Sequence, residues 1–277
     1  MNASENGNTL TRKDEMADYR RAQEMAASAN LVMEEAVSSK REHKPPQPIP
    51  FNGLLTNKLL TGLPGADFAR LLPHLEPVLL TTGQDLYKFG EAVDFAYFPE
   101  TVVISHIYFL EDGSSTAAAM IGREGLIGLS AIFDSSQPSY WTQATIGGSA
   151  LRAEIEVVGQ EFTRGGALQQ LLLGYTRQRL SQLSQRAVCN GRHKLDERLC
   201  TWLLMLLDRT KEVQLPLTHE EIAHHLGARR AGISSCCNDL RDNGIIDYRR
   251  GLIRVTDRER LEAAACECYR MLRYSAE

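Results

Sequence analysis

No apolar run in the 277 residues is long enough to cross a bilayer, which excludes a membrane-spanning helix. The chain also lacks a phosphate-cradling glycine loop, a nucleophile elbow and a paired-ligand metal motif, so an enzyme is not expected. The stretch from Gly122 to Gly128 does bear glycines, but it lies between strand-like runs and reads as a turn. Cysteine is missing from the first two thirds; all six (Cys189, Cys200, Cys236, Cys237, Cys266 and Cys268) lie in the last third. With no secretory leader before Asn2, the expectation is free thiols in a reduced, cytoplasmic setting away from membranes. The Cys266-Glu267-Cys268 step is tighter than the usual zinc knuckle and no matching pair follows it, so it reads as ordinary thiols rather than a metal site. An excess of positive charge is lacking too. The 31 Lys and Arg against 35 Asp and Glu leave a formal net charge of -4, which argues against a coat for nucleic acid but permits a local basic surface.

A chain of this length suggests two folded units and a tail. Residues 1–50 read as a polar extension, disordered or helical. A weak apolar stripe (Met25, Leu31, Val32, Val37) leads into a proline-rich linker from Lys44 to Pro50 that no helix or central strand can cross. Residues 51–162 open with a short helical entry (Leu54, Leu55, Leu59, Leu60). Short apolar runs follow: Val78–Leu80, Asp85–Tyr87, Phe95–Phe98, Val102–Leu110, Thr116–Ile121, Trp141–Ile146 and Ala150–Ile155. Turn residues separate them, with Asp112-Gly113 the strongest hairpin signal, and many short strands at close spacing mean a sandwich or barrel. Residues 163–190 switch to a helical period. Leu173, Thr176, Leu180, Leu183, Ala187 and Asn190 form a heptad seam for a twin chain, while Leu168, Leu171, Leu172 and Tyr175 make a second stripe for the β-unit. Residues 191–277 continue with a stripe of Leu195, Leu199, Trp202 and Leu206.

The informative stretch runs from Leu217 to Leu240. Thr218 and Glu221 stand at capping-box spacing and start a helix. Ile222 and Leu226 face a core, Ala223 is small where a second helix crosses, and Gly227 supplies a left-handed turn before Ile233 anchors the next helix. Asn243-Gly244 ends that helix. Two strand-like runs, Ile245–Tyr248 and Leu252–Val255, then flank a basic turn, Arg249-Arg250-Gly251, so the pattern is a winged helix-turn-helix. Arg229 and Arg230 open the second helix, with Ser234, Ser235 and Asn238 following at helical spacings. His224 and His225 read as surface or packed imidazoles.

Over residues 52–262 the chain resembles the Crp/Fnr family, the relatives of catabolite activator protein. The residues that carry the resemblance are Thr218 to Gly227 with Ile233, Arg230, and the Gly122-Arg123-Glu124-Gly125-Leu126-Ile127-Gly128-Leu129 turn. The resemblance implies an α+β fold: an N-terminal cyclic-nucleotide-binding-like β-roll (jelly roll), a long dimerisation helix and a C-terminal winged helix-turn-helix. It implies a homodimeric, sequence-specific transcription regulator on a palindrome-like operator in double-stranded DNA, with RNA polymerase as a further candidate partner. Arg230 would be poised for guanine O6 and N7, Thr218 and His219 for phosphate, and Arg249 and Arg250 for phosphates at the wing. The family pattern continues with an acidic residue and then a further arginine, where this chain has Ala231 and Ser235, so the familiar operator does not carry over.

Cyclic-nucleotide-binding relatives hold ribose with a glutamate after the turn glycine and phosphate with an Arg-Ser or Arg-Thr step. Here Leu129 follows Gly128, and Gln137 to Gln143 contain no arginine, which leaves a cyclic phosphate unpaired and argues against cyclic AMP. An iron-sulfur sensor of the kind that draws cysteines from the N-terminal region is disfavoured by their absence there. No cofactor is expected. Haem, with His74 or His106 as an axial ligand, another small effector, and a ligand-free response stay open. The competing class is a sensory module whose winged helix binds protein instead of DNA.

Overall fold

The structure, a computed structural model, describes residues 45–50, 55–112, 114–134, 137–210 and 212–274. The N-terminal stripe from Met25 to Val37, Leu54 of the entry helix and Gly113 of the hairpin lie outside the described residues.

In chain order the β-unit comprises β1 (Gln47–Pro48), α1 (Lys58–Thr61), α2 (Gly65–Leu71), a 3-10 turn (Leu72–His74), β2 (Glu76–Leu80), β3 (Asp85–Tyr87), β4 (Phe95–Pro99), β5 (Val103–Phe109), β6 (Ser115–Ile121), α3 (Leu129–Asp134), β7 (Trp141–Ile146) and β8 (Gly148–Glu154). The strands form two antiparallel four-stranded sheets, β1-β2-β8-β4 and β3-β7-β5-β6. Alternation along β5 and β6 turns Ile104, Ala119 and Ile121 inward, where they meet Val78, Leu80, Phe98 and Leu151. The proline-rich linker is corrected in one respect. Gln47 and Pro48 pair with Leu79 and Val78 as an edge strand, the one sheet position that tolerates proline.

Helices follow: α4 (Ile155–Arg164), α5 (Ala167–Arg192) and α6 (Leu195–Thr210). The helical period therefore begins at Ile155, not after Glu161, and Ile155 is no strand residue. Gly165 and Gly166, both at positive φ, separate α4 from α5, so the long helix starts at Ala167 and not at residue 163. The second stripe of α5 packs as anticipated. Leu168, Leu172 and Tyr175 are buried in the β-roll core, and Tyr175 fits because Gly125 opposite it has no Cβ to collide with its hydroxyl. Leu173, Leu180, Leu183, Ala187 and Asn190 of the seam are exposed, with Thr176 half-buried.

The last unit comprises α6, β9 (Gln214–Leu215), α7 (His219–Leu226), α8 (Arg230–Asp242), β10 (Ile246–Arg249), β11 (Leu252–Val255), α9 (Arg258–Ala264) and α10 (Cys268–Tyr274). Leu199, Trp202 and Leu206 of α6 centre its core with Ile222, Leu226, Ile233, Leu240, Ile253 and Leu261. Val103, Met120 and Ile146 of the β-roll join the same cluster, so this unit packs directly against the roll. One charged contact crosses that junction: Arg209 Nε, at the end of α6, bonds Glu124 Oε1 at 2.8 Å with both side chains buried.

Candidate nucleic-acid interface

Thr218 caps α7 through the full reciprocal box. Its hydroxyl accepts from the Glu221 N–H at 3.2 Å, and its own N–H donates to Glu221 Oε2 at 2.8 Å. Ile222, Ala223 and Leu226 point into the core, and Gly227 (φ 58°, ψ 47°) turns the chain in the left-handed region. A Cβ at Gly227 would also press on Thr116 Oγ1 at 3.1 Å, because the corner lies against β6 of the roll. After three residues α8 begins, held by buried Ile233, Cys237 and Leu240.

The start of α8 breaks a local rule that the start of α7 obeys. Arg229 occupies the N-cap with no side-chain cap, and Arg230 follows in the first turn, so two cations stand at the positive end of a 13-residue helix. Neither placement helps the helix. Both side chains are exposed, as are Ser235 and Asn238 on the same helix, and Arg230 Nε reaches only a loose contact with Glu220 at 3.6 Å.

Ser234 and His219 meet each other beside that pair. Ser234 Oγ lies 2.9 Å from His219 Nδ1, and the His219 ring stacks on Tyr248 at 4.2 Å between centroids. The pair braces α7, α8 and β10 together, while burial and the nearby Arg230 hold the His219 pKa below its ordinary value.

The wing is tighter than its sequence suggests. Arg249 pairs with Leu252 as the last residue of β10, so the turn is Arg250-Gly251 alone, with φ of 49° and 79°. Two residues of positive φ make the hairpin turn whose twist matches its strands. Arg249 and Arg250 are exposed at its tip. Arg254, which the turn motif alone does not single out, is exposed on β11 between buried Ile253 and Val255; strand alternation was the signal for it.

His224 is exposed beside Glu220 at 3.3 Å, whereas His225 is buried against the Trp202 ring and its pKa falls to about 3 because burial penalises the charged form. Unfolding returns that imidazole to an ordinary value near 6.5. The stability it contributes is then complete above about pH 6.5 and is lost as pH falls toward the folded value. We expect the urea midpoint to drop between pH 7 and pH 5, and His225→Phe to flatten that dependence.

In the β-roll, His74 sits exposed on the 3-10 turn, while His106 stacks on Tyr140 at 4.0 Å and its Nε2 is shut from water without a partner. Burial takes the His106 pKa to about 3. From α5, Arg179 approaches this region but spends its Nη1 on Met120 O at 3.2 Å and Gln182 Oε1 at 2.7 Å.

Residues 197–264 match the Crp-like helix-turn-helix domain. Among curated proteins, no sequence relative matches the chain. Solved structures share the fold. A protein of Eubacterium rectale described as a transcriptional regulator of the Crp/Fnr family superposes with a TM-score of 0.60 at 19% identity, over 75% of this chain and 97% of its own. FixK2 from Bradyrhizobium japonicum gives 0.58 at 18% identity, over 69% and 98%. The c-di-GMP-responsive global regulator CLP of Xanthomonas campestris gives 0.58 at 16%, over 69% and 99%. No described helix is long and apolar enough to cross a membrane. The chain carries a Crp-like helix-turn-helix domain behind a two-sheet β-roll and shares its fold with these solved regulators.

Proposed function

We propose that the protein regulates transcription by binding a palindrome-like DNA site as a homodimer, with the β-roll as its effector unit. The observation that carries this reading is the uncapped arginine pair at the positive end of α8, beside an α7 whose start is fully capped. A pair of exposed cations that opposes the helix it starts marks a functional demand. In the major groove the planar guanidinium of Arg230 matches the O6 and N7 of guanine, Ser235 and Asn238 face neighbouring base edges, and Thr218 and Arg229 reach phosphates. Arg249, Arg250 and Arg254 give the wing a cationic edge for the flanking backbone.

The exposed seam of α5 supports the dimer, because Leu173, Leu180 and Leu183 lie on one helical face without cover among the described residues. Two copies related by a two-fold axis set two recognition helices about one DNA turn apart. For the effector, the chemistry of the roll disfavours an anionic cyclic nucleotide: Gln137 to Gln143 bring no cation, and Arg179 is engaged by its own helix and β6.

Arg230→Ala is expected to weaken binding to a selected site by about 1–3 kcal/mol and to relax the preference at one base pair. Arg250→Ala should weaken selected and random duplexes alike and lower the slope of log K against log salt by about one. Fluorescence anisotropy over a salt series measures both. Equal losses from both changes on both kinds of DNA would favour a winged helix that reads no sequence, and salt-independent binding would favour a protein partner.

A further inference from the structure

We propose that Cys189, His193, Cys266 and Cys268 form a Cys3His zinc site that fastens the C-terminal segment to the end of the long helix. Cys266 and Cys268 have no second ligand pair near them in sequence. Folding supplies one from 77 residues earlier: Cys189 lies in the last turn of α5, and His193, the residue that caps this helix, bonds back to Cys189 O through its N–H at 3.0 Å. The Sγ atoms of the cysteines and a ring nitrogen of His193 all lie within 4.8 Å of one another.

The spacing suits one small tetrahedral ion. Bonds of about 2.3 Å to sulfur and about 2.0–2.1 Å to nitrogen place the ligand atoms of such an ion about 3.5–3.8 Å apart. Here Cys189 Sγ lies 3.6 Å from Cys266 Sγ, and Cys268 Sγ lies 3.5 Å from His193 Nδ1. Disulfide sulfurs are bonded at about 2.05 Å, so these are not a pair caught in a disulfide. The cysteines are buried and His193 is only partly exposed, which limits exchange with solvent.

The surroundings match a site that holds thiolates. Gln185 Nε2 donates to Cys268 Sγ at 3.0 Å, and the Thr201 hydroxyl lies 3.1 Å from Cys266 Sγ. His193 presents Nδ1 to the cluster and Nε2 to Glu267 at 3.2 Å, the carboxylate-histidine arrangement that fixes the tautomer of a metal ligand. Three sulfurs and one imidazole select zinc over the hard cations that take oxygen ligands. With all four positions filled by protein there is no open coordination site for a substrate, which makes the ion structural.

The location gives it a task. His193 caps α5 just before α6 begins at Leu195, and Cys268 opens α10, so one ion ties the end of the long helix to the C-terminal segment at the junction where the winged unit begins. Tyr269, next to Cys268, adds a bond to Asp208 Oδ2 at 2.8 Å in the last turn of α6. All four ligands stand outside residues 197–264, the segment matched by the helix-turn-helix family.

The test is elemental analysis of the full chain, purified under reducing conditions with zinc added and then desalted. About one zinc per chain is expected, falling below a tenth in Cys266→Ser and Cys268→Ser and unchanged in Cys200→Ser. Because a ligand variant can fail to fold, cobalt(II) is also loaded into the unaltered protein. Tetrahedral d–d bands with sulfur-to-cobalt charge transfer of three-thiolate intensity are expected, abolished by an equivalent of zinc. Less than a tenth of an equivalent of zinc, cobalt bands of an oxygen-ligated octahedral ion, iron with inorganic sulfide in the purified chain, or two thiols lost to a disulfide would each overturn the assignment.

Discussion

Arg209→Ala is expected to destabilise the protein by about 3–5 kcal/mol, read as a lowered urea midpoint at pH 7. The side chains of Arg209 and Glu124 are only 3% and 6% exposed, and removing the guanidinium strands a carboxylate that water cannot reach. Arg209 also donates Nη1 to Met205 O at 2.9 Å, so its head is fixed from its own helix as well as from the roll. Gly122 makes room for it: a Cβ there would come within 2.9 Å of Arg209 Cγ. The pair itself is worth far less than its rupture, because Arg209 Nη2 is buried without a partner and both charges are desolvated. Arg209→Met combined with Glu124→Leu should therefore recover most of the stability that either single change loses. Since the pair joins the turn after β6 to the last turn of α6, both single variants should also alter the temperature at which the two units unfold relative to one another. Differential scanning calorimetry reads that separation.

Leu180→Glu with Leu183→Glu is expected to convert the proposed dimer into a monomer and to reduce affinity for a two-fold DNA site by more than a hundredfold. Leu180 is 61% exposed and Leu183 39% exposed, on a face of α5 turned away from the roll. Full burial of a leucine is worth about 1.5–3 kcal/mol; with about half of each side chain still to cover, four leucines across a two-fold interface contribute about 3–6 kcal/mol. That is about two to four decades in the dimer dissociation constant, before the repulsion of four new carboxylates. A monomer presents a single recognition helix and loses the advantage of binding both half-sites at once. Sedimentation velocity and anisotropy on the same samples report the two losses together; a variant that stays dimeric would place the contact between copies elsewhere.

The β-roll was legible because its strands alternate and its turns carry glycine or aspartate, features that act within a few residues. The helix-turn-helix was legible for the same reason: Thr218, Glu221, Ala223, Gly227 and Ile233 each perform a local task that their chemistry dictates. The break at Gly165-Gly166 was missed, since a helical period continues on both sides and only the positive φ of both glycines shows the interruption. Edge strand β1 was hidden because two residues carry no periodicity and proline speaks against a strand unless its position in the sheet is known. The Arg209–Glu124 pair and the Cys189, His193, Cys266, Cys268 cluster share a different cause. Their members are separated by 85 and 77 residues in the contacts that define them, and no spacing rule spans such distances before the fold is known. Ser234, a DNA-contact candidate by its place on α8, has a partner the sequence did not reveal, since its Oγ lies 2.9 Å from His219 Nδ1.

The most direct measurement is selection of bound duplexes from a random DNA library by the purified protein, followed by anisotropy on the enriched sequence across a salt series. The expected result is an inverted repeat with half-site centres about 10 base pairs apart, containing a guanine whose preference disappears with Arg230→Ala, and an affinity that falls steeply as salt rises. A library that stays unenriched, bound no better than by a protein without exposed arginines, would contradict sequence recognition by the α7–α8 corner.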